Sequence, residues 1–495
     1  MTAAADTALP TYDALQPGPV WEDFAAMSAV PRPSKKEERI LDMLKNLSRE
    51  RGYTVDQDKV GNLVIRVPGA GGGEDAPTVI LQAHVDMVCE KNSGTEHDFD
   101  RDPIRLLVDR DGDGDLIVRA DGTTLGADNG IGVCLALAAA RADIKRPPLE
   151  ILLTVDEEAG MTGAEHLDGS LLNGRTLINL DTEEDAALYV GCAGGCDISL
   201  GWTFDAEPFA GQAHEIVVRG LRGGHSGGDI HEGRGSANKV LTRLLGRLLG
   251  QAPGLRLLHI DGGSKRNAIA REASALVAGD GDGLRRAAAE VEAEARAESK
   301  EPELTIRIES RDVDAPALPV EPSGRVIRAL AAVPHGVVGM HPDVPGLVET
   351  SNNLATVELK AVGDGISVQV GCLSRSSSPS RMEEVLNQIG AVGELAGATV
   401  ERANSYPGWE PNMDSAVLQV CRDVHEETFG APPKIAAVHA GLECGLLGRR
   451  VEGLDMVSLG PRIEGAHSPD ERVWVRSVQL SWTYLTAVLE RLAQR

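Results

Sequence analysis

The chain has 495 residues, of which 42% are hydrophobic and only 3% aromatic, and its formal net charge is −26. That length calls for two or more domains with mainly aliphatic cores, and the negative charge argues against binding nucleic acid or an anionic membrane, both of which need a basic face. The seven cysteines lack framework spacing, and the closest pair, Cys192 and Cys196 in CAGGC, has no second pair to complete a zinc knuckle. No basic-then-apolar leader opens the chain and no apolar run approaches the ~20 residues of a membrane span, so a reduced, cytoplasmic, membrane-free protein is expected.

In chain order, PSKKEERILDMLKNLSRERG predicts an amphipathic helix. Ile40, Leu41, Leu44 and Leu47 form its apolar stripe, Ser34 and Glu37 a capping box, and Gly52 its stop. NLVIRVPG and TVILQAHVD read as strands, and the intervening GAGGGED as a hairpin connection, because it lacks the Gly-Lys-Ser/Thr ending of a phosphate loop. DRDGDGDLIV spaces Asp109, Asp111 and Asp113 like a calcium loop, but the twelfth place is Ala120 instead of a bidentate glutamate, so an Asp-Gly turn between strands is expected. ADNGIGVCLALAAARA predicts a helix. LEILLTVDEEAG, TLINLDTEE and LDMVSLGPRIEGAH predict strands running out into acids or a histidine.

Strands alternating with helices indicate an α/β catalytic domain: a helix-covered, mixed but mainly parallel sheet. A segment of different character, residues 191–398, reads as an inserted α+β domain, with the catalytic domain made from residues 1–190 and 399–495. Its helix GLRRAAAEVEAEARAESK carries charge over much of its surface, as a solvated face does.

Parallel sheets bind ligands at the carboxyl ends of their strands. VILQA leads to His84 and Asp86, which share a strand face; ILLTV leads to Asp156, Glu157 and Glu158; LINL leads to Asp181. Asp128 precedes a helix, and His467 reaches the same edge if its strand is parallel. A carboxylate beside an imidazole fixes its tautomer, as a metal ligand requires, although His84 and Asp86 alone read equally well as a core histidine beside a surface acid. So many acids on one edge repel, and divalent cations resolve the repulsion. Two histidines with several carboxylates suit zinc, with manganese or cobalt as alternatives, as a pair ~3.5–4 Å apart sharing one carboxylate. If adjacent Glu157 and Glu158 serve one site, their junction must be a turn.

QAHVDMVCEKN, DGTTLGADNGIG, TVDEEAGMTGA, NLDTEE, HAGLECG and GAHSPDERV, in this order over nearly the whole chain, resemble the cocatalytic zinc peptidases that include carboxypeptidase G, aminoacylase, carnosinase and peptidase V. Within them the likeness is to the bacterial cytosolic aminoacyl-histidine, or non-specific, dipeptidases. The resemblance implies roles residue by residue. His84 and Asp181 complete one metal site and Glu158 and His467 the other, Asp128 bridges them with a cis peptide to Asn129, and Asp86 orients His84. Glu157 is the general base for attack by metal-bound hydroxide. His225 stabilises the oxyanion, from its own or a partner subunit, and Asn267, Arg375 and Glu443 contact substrate; His231, His259 and His439 are left as ordinary histidines. It further implies hydrolysis of small unblocked dipeptides, including Xaa-His and β-alanyl-histidine, and a homodimer formed through an insert that also acts as a lid closing His225 and Arg375 toward the metals.

Alternatives stay open. The same metal core could serve an N-acyl-amino-acid deacylase. GHSGG fits the Gly-x-Ser-x-Gly elbow of a serine hydrolase with Ser226 as nucleophile, which would need a helix directly after it. A metal-binding scaffold without catalysis is the non-enzymatic reading, against which Glu157 stands, since it is no ligand in the proposed set.

Overall fold

The computed structural model describes residues 9–251 and 254–494. The chain forms two compact units. One runs up to Gly191 and resumes over Pro411–Ala437 and from Glu443 onward; the other comprises Cys192–Glu410 and Val438–Leu442.

Up to Gly191 and Cys192 the strands are β1 (Thr54–Gln57), β2 (Leu63–Val67), β3 (Val79–His84), β4 (Leu106–Arg110), β5 (Leu116–Ala120), β6 (Leu149–Thr154), β7 (Thr176–Asn179) and β8 (Ala187–Cys192). The main sheet runs β1, β2, β6, β3, β7, then Asp455–Ser458, β8 and Lys434–Val438. Its centre is parallel: β3 pairs with β6 and β7, and β7 with Asp455–Ser458. The flanking pairs β1–β2, β2–β6 and Asp455–Ser458 with β8 are antiparallel. Every residue of β3 and β6 is buried, which is why both read as near-continuous apolar runs, interrupted by Gln82 and Glu150. The helices Gly18–Ser28, Glu38–Glu50, Ala127–Arg141, Ala416–Phe429 and Val475–Leu492 contribute to the same core. The chain therefore has the expected helix-covered, mainly parallel sheet.

Two local expectations need correction. The glycine-rich segment after β2 does not make a hairpin, because β6 lies between β2 and β3. Its Ala70 instead exchanges backbone hydrogen bonds of 3.0 Å with Arg146, in the segment that leads into β6. The capping box does not form: the helix starts at Glu38, Glu37 Oε1 accepts the Lys35 N–H at 2.8 Å, and the Ser34 hydroxyl donates to Asp86 Oδ2 at 2.7 Å. A buried carboxylate far along the chain outcompetes the local cap. The charged face of helix Gly281–Ser299 is solvated as expected, and its exposed Glu290, Glu294 and Glu298 pair with Arg247 and Arg243 of helix Ala237–Gln251.

The Asp-Gly turn joins antiparallel β4 and β5. Asp111 Oδ1 accepts the N–H groups of Asp113 (3.0 Å) and Asp115 (2.8 Å), closing the turn on its own backbone.

The second unit is α+β. Its nine-stranded sheet is built from antiparallel pairs such as Glu207–Arg219 with Thr305–Ala317 and Val348–Val362 with Gly365–Ser376. Helices Ala237–Gln251, Gly281–Ser299, Val320–Ala332 and Pro379–Leu395 fill its core. The sequence reading ended the insert at residue 398, whereas the compact unit continues to Glu410 because strand Thr399–Tyr406 pairs with Gly194–Asp205. Among the described residues no helix is long and apolar enough to cross a membrane.

Helix Ala127–Arg141 packs against the chain just beyond β7 through Gly132, where an added Cβ would lie 2.5 Å from the Leu180 carbonyl oxygen. Alanine gains ~1 kcal/mol of helix propensity, but overpacking against backbone costs ~1–3 kcal/mol. Gly132→Ala is therefore expected to destabilise the first unit by up to about 2 kcal/mol, seen as a lower urea midpoint; a higher midpoint would refute the close approach.

Candidate active site

Five chain segments of the first unit converge near the carboxyl ends of its parallel strands. β3 ends at His84, which is buried with Asp86. Asp86 Oδ1 lies 3.3 Å from His84 Nδ1, and the carboxylate also accepts the N–H groups of Glu157 (3.1 Å) and Glu158 (3.2 Å) and the Ser34 hydroxyl (2.7 Å). Burial pushes this carboxyl up, but His84, Ser34 and the backbone donors outweigh it and hold it at about 2. Asp86 is thus a fixed anion that turns the other imidazole nitrogen, Nε2, away from it.

That Nε2 lies 3.0 Å from Asp128 Oδ1 and 3.4 Å from Asp181 Oδ1. Asp128 Oδ2 faces His467 Nε2 at 3.2 Å, and the same nitrogen is 2.9 Å from Glu158 Oε2. One aspartate therefore stands between two histidines, one oxygen toward each. Against the upward push of burial, His467 and His84 hold Asp128 far below the usual carboxylate range. Its peptide to Asn129 is cis. Asn129 Nδ2 donates to the Leu180 carbonyl at 2.9 Å and to Asp181.

Past β6 the chain leaves extended geometry at Asp156 (φ 55°) and enters the short helical turn Glu157–Gly160. This is the turn that adjacent glutamates need to face one site. Glu157 is pushed well above its ordinary range by burial and by Asp181, Glu443 and Glu158, against the pull of His84. Burial, with Asp128 and Glu158 outweighing part of the His84 attraction, raises Asp181 to about 6. Burial and the charges of Asp128 and Asp181 raise Glu183 to about 9. Burial likewise raises Glu443 to about 7, although it accepts hydrogen bonds from Gln82 Nε2 (2.6 Å) and Thr154 Oγ1 (2.7 Å).

Such mutual repulsion marks a pocket short of positive charge. Donor atoms of His84, Asp128 and Glu158 lie within 4.8 Å of one another, a cluster that fits a metal ion. The second oxygen of Glu158, Oε1, is buried without a hydrogen-bond partner, as an anionic ligand lacking its cation would be. Imidazole nitrogen with carboxylate oxygen is the donor set of zinc and its first-row neighbours.

The remaining residues singled out from sequence lie in the second unit. His225 is in the two-residue strand Gly224–His225, paired with Ala268–Ile269 beside Asn267, whose carbonyl accepts the Ser226 N–H at 2.9 Å. His225 Nδ1 accepts the N–H groups of Gly227 (3.3 Å) and Gly228 (2.9 Å), which leaves Nε2 as the donor. Burial and Arg375 lower the His225 pKa, so the ring is neutral near pH 7. Arg375 is 5% exposed, donates from Nη1 to the Tyr406 hydroxyl at 2.7 Å, and has no partner at Nε. No carboxylate faces it in an ion pair among the described residues. The serine-hydrolase elbow lacks its helix: after Ser226 the chain enters only the 3-10 turn Ile230–Glu232.

Sequence reasoning passed over Glu183, His439, Arg32 and Glu471. Glu183 follows Asp181 at strand spacing, a local signal that was available. His439 lies beside Arg375, where burial and that charge lower it to about 4. His231 and His259 are exposed. Arg32 and Glu471 act on distant backbone and leave no local pattern.

The comparisons with known proteins agree with this chemistry. The chain is 42% identical over 486 residues to the cytosol non-specific dipeptidase of Escherichia coli (strain K12), an alignment spanning 97% of this chain and 98% of that one. It superposes on the aminoacylhistidine dipeptidase of Vibrio alginolyticus with a TM-score of 0.88 at 41% identity, covering 97% and 98% of the two chains. A tripeptidase from Staphylococcus aureus shares the fold, with a TM-score of 0.61 at 16% identity over 97% of this chain and all (100%) of that one. Residues 80–491 match a single family description, and with the near full-length relative this shows that the chain belongs to peptidase family M20/M25/M40.

Proposed function

We propose that this peptidase is a dinuclear metal-dependent dipeptidase acting on unblocked dipeptides, Xaa-His and β-alanyl-histidine among them. The observation that carries the reading is Asp128, with Oδ1 3.0 Å from His84 Nε2 and Oδ2 3.2 Å from His467 Nε2. His84, Asp128 and Asp181 would hold one divalent cation, and Asp128, Glu158 and His467 the second. Zinc suits the donors best, with manganese or cobalt as substitutes. When bound, such a pair supplies Lewis acidity and makes water acidic enough to attack near neutral pH.

The chain's own residues do the rest. Asp86 holds the His84 ring. Glu157 takes the proton of the attacking water and returns it to the leaving amine, a task suited to a carboxylate whose basicity is raised by its surroundings. His225 offers a neutral Nε2–H to the developing oxyanion, and Asn267 a further polar contact. Arg375, buried without a carboxylate partner, offers a guanidinium fork to the substrate's free C-terminal carboxylate. Glu443 lines the pocket, where its acceptor oxygens favour a free ammonium group over a blocked one. The second unit acts as lid and dimer interface of a cytoplasmic homodimer; a full-length relative named for the cytosol supports the compartment.

Stripping metal with a chelator should abolish hydrolysis of free dipeptides, and zinc, manganese or cobalt should restore it. Persistent activity in demonstrably metal-free protein, or hydrolysis confined to N-blocked substrates, would defeat the proposal. Glu157→Gln should lose about 10²–10⁴-fold in kcat while binding the same number of cations by calorimetry. Arg375→Ala should raise KM for free dipeptides and narrow their advantage over dipeptide amides; an equal loss on both would remove Arg375 from carboxylate recognition.

A further inference from the structure

Beyond the proposed ligands, one buried carboxylate gathers the backbone that presents the shared aspartate. Glu471 is 2% exposed. Its Oε2 accepts the N–H groups of Leu125 (2.7 Å) and Gly126 (2.9 Å), and its Oε1 those of Ala127 (2.7 Å) and Asp128 (3.3 Å). Four successive N–H groups around one anion make a backbone nest. Gly126 supplies the left-handed residue such a curl needs, at φ 70°. The nest opens helix Ala127–Arg141, where the helix dipole also favours negative charge. Glu471 comes from the loop that carries His467, whose turns are closed by Ser468 N–H to the Gly465 carbonyl and Glu471 N–H to the Ser468 carbonyl, both at 3.1 Å.

On the other side of the same peptide sits Arg32, also 2% exposed. Its Nη1 donates to the carbonyls of Val85 (3.1 Å) and Asp86 (3.3 Å), and its Nη2 to that of Gly126 (2.5 Å). A Cβ at Gly126 or Gly130 would run into this guanidinium. Gly126 therefore carries a cation on its carbonyl and an anion on its N–H. Neutral caps could satisfy these backbone groups at less desolvation cost than two buried charges. A glutamine in place of Glu471, however, has one acceptor oxygen and would leave part of the nest unpaired.

We infer that Arg32 and Glu471 are positioning residues, two buried opposite charges that grip the backbone of Gly126 at its carbonyl and its N–H and set the mutual register of the His84–Asp86, Asp128 and His467 loops. The inference rests on the two-cation reading above. Through that register the pair governs how Asp128 divides its oxygens between the two histidines, and so the affinity of the centre for metal.

The test is Co²⁺ uptake by the metal-free full-length chain, followed by calorimetry and by the cobalt d–d absorption, for wild type, Glu471→Gln, Glu471→Asp and Arg32→Lys. The thermal midpoint of each metal-free form is recorded alongside, and titrations are run well below it. Glu471→Gln and Arg32→Lys should each lose about 10–100-fold in Co²⁺ affinity with an altered d–d band, and Glu471→Asp, which keeps the charge, should lose less. Wild-type affinity and spectrum in Glu471→Gln, with only the metal-free midpoint lowered, would make Glu471 a purely structural cap and overturn the inference. If Glu471→Gln does not fold, unchanged affinity in Arg32→Lys overturns it equally. Wild-type uptake of fewer than two Co²⁺ per chain would sink the two-cation reading instead, and the clamp is then judged on the affinity of the single site.

Discussion

The structure of the first unit is organised around a repulsion. Acidic side chains from five separate segments meet around the buried imidazole of His84, with the more exposed imidazole of His467 at their edge. Asp128 is the point at which the conflict is managed, because it turns one oxygen to His84 (3.0 Å) and the other to His467 (3.2 Å). Parallel pairing of β3, β6, β7 and Asp455–Ser458 brings the strand ends to one edge, and the left-handed Asp156 lets the chain turn there. A cluster this short of positive charge is a poor hydrophobic core and a good cation trap.

Two carboxylates in this neighbourhood are driven in opposite directions by what surrounds them. Asp86 collects donors, from His84, Ser34 and the N–H groups of Glu157 and Glu158, and is held at about 2 despite burial. Glu157 is buried among other acids and is raised. The same contacts tie them mechanically: one aspartate orients the imidazole and also pins the backbone of both glutamates. A permanent anion and a carboxyl pushed toward its protonated form thus arise from a single arrangement, a separation of environments of the kind acid–base chemistry uses.

What the sequence revealed and what it hid follow from range. Largely apolar runs leading to His84, Glu157 and Asp181 announce buried parallel strands and a charged edge, since both signals are local. The turn at Asp111 is legible for the same reason, as its side chain caps its own backbone. Features decided by distant partners were misread. Ser34 has the look of a helix cap but serves Asp86, 52 positions further on. The glycine-rich stretch after β2 resembles a hairpin loop, yet Arg146 is its partner. Thr399–Tyr406 is mostly exposed and polar, so nothing in its composition revealed that it pairs with Gly194–Asp205 and carries the second unit past residue 398. Arg32 and Glu471 bind peptide groups instead of side chains, and backbone partners leave no mark in a residue pattern.

The order in which the segments occur along the chain has a consequence for synthesis. His84, Asp128, Glu158 and Asp181 all emerge from the ribosome well before the second unit is made, and His467 only after it. Until then Asp128 has a histidine on one side alone, and Glu471 has not yet filled the nest that holds its backbone. A nascent polypeptide therefore carries the acids of the cluster before the histidine that faces Asp128 from the other side.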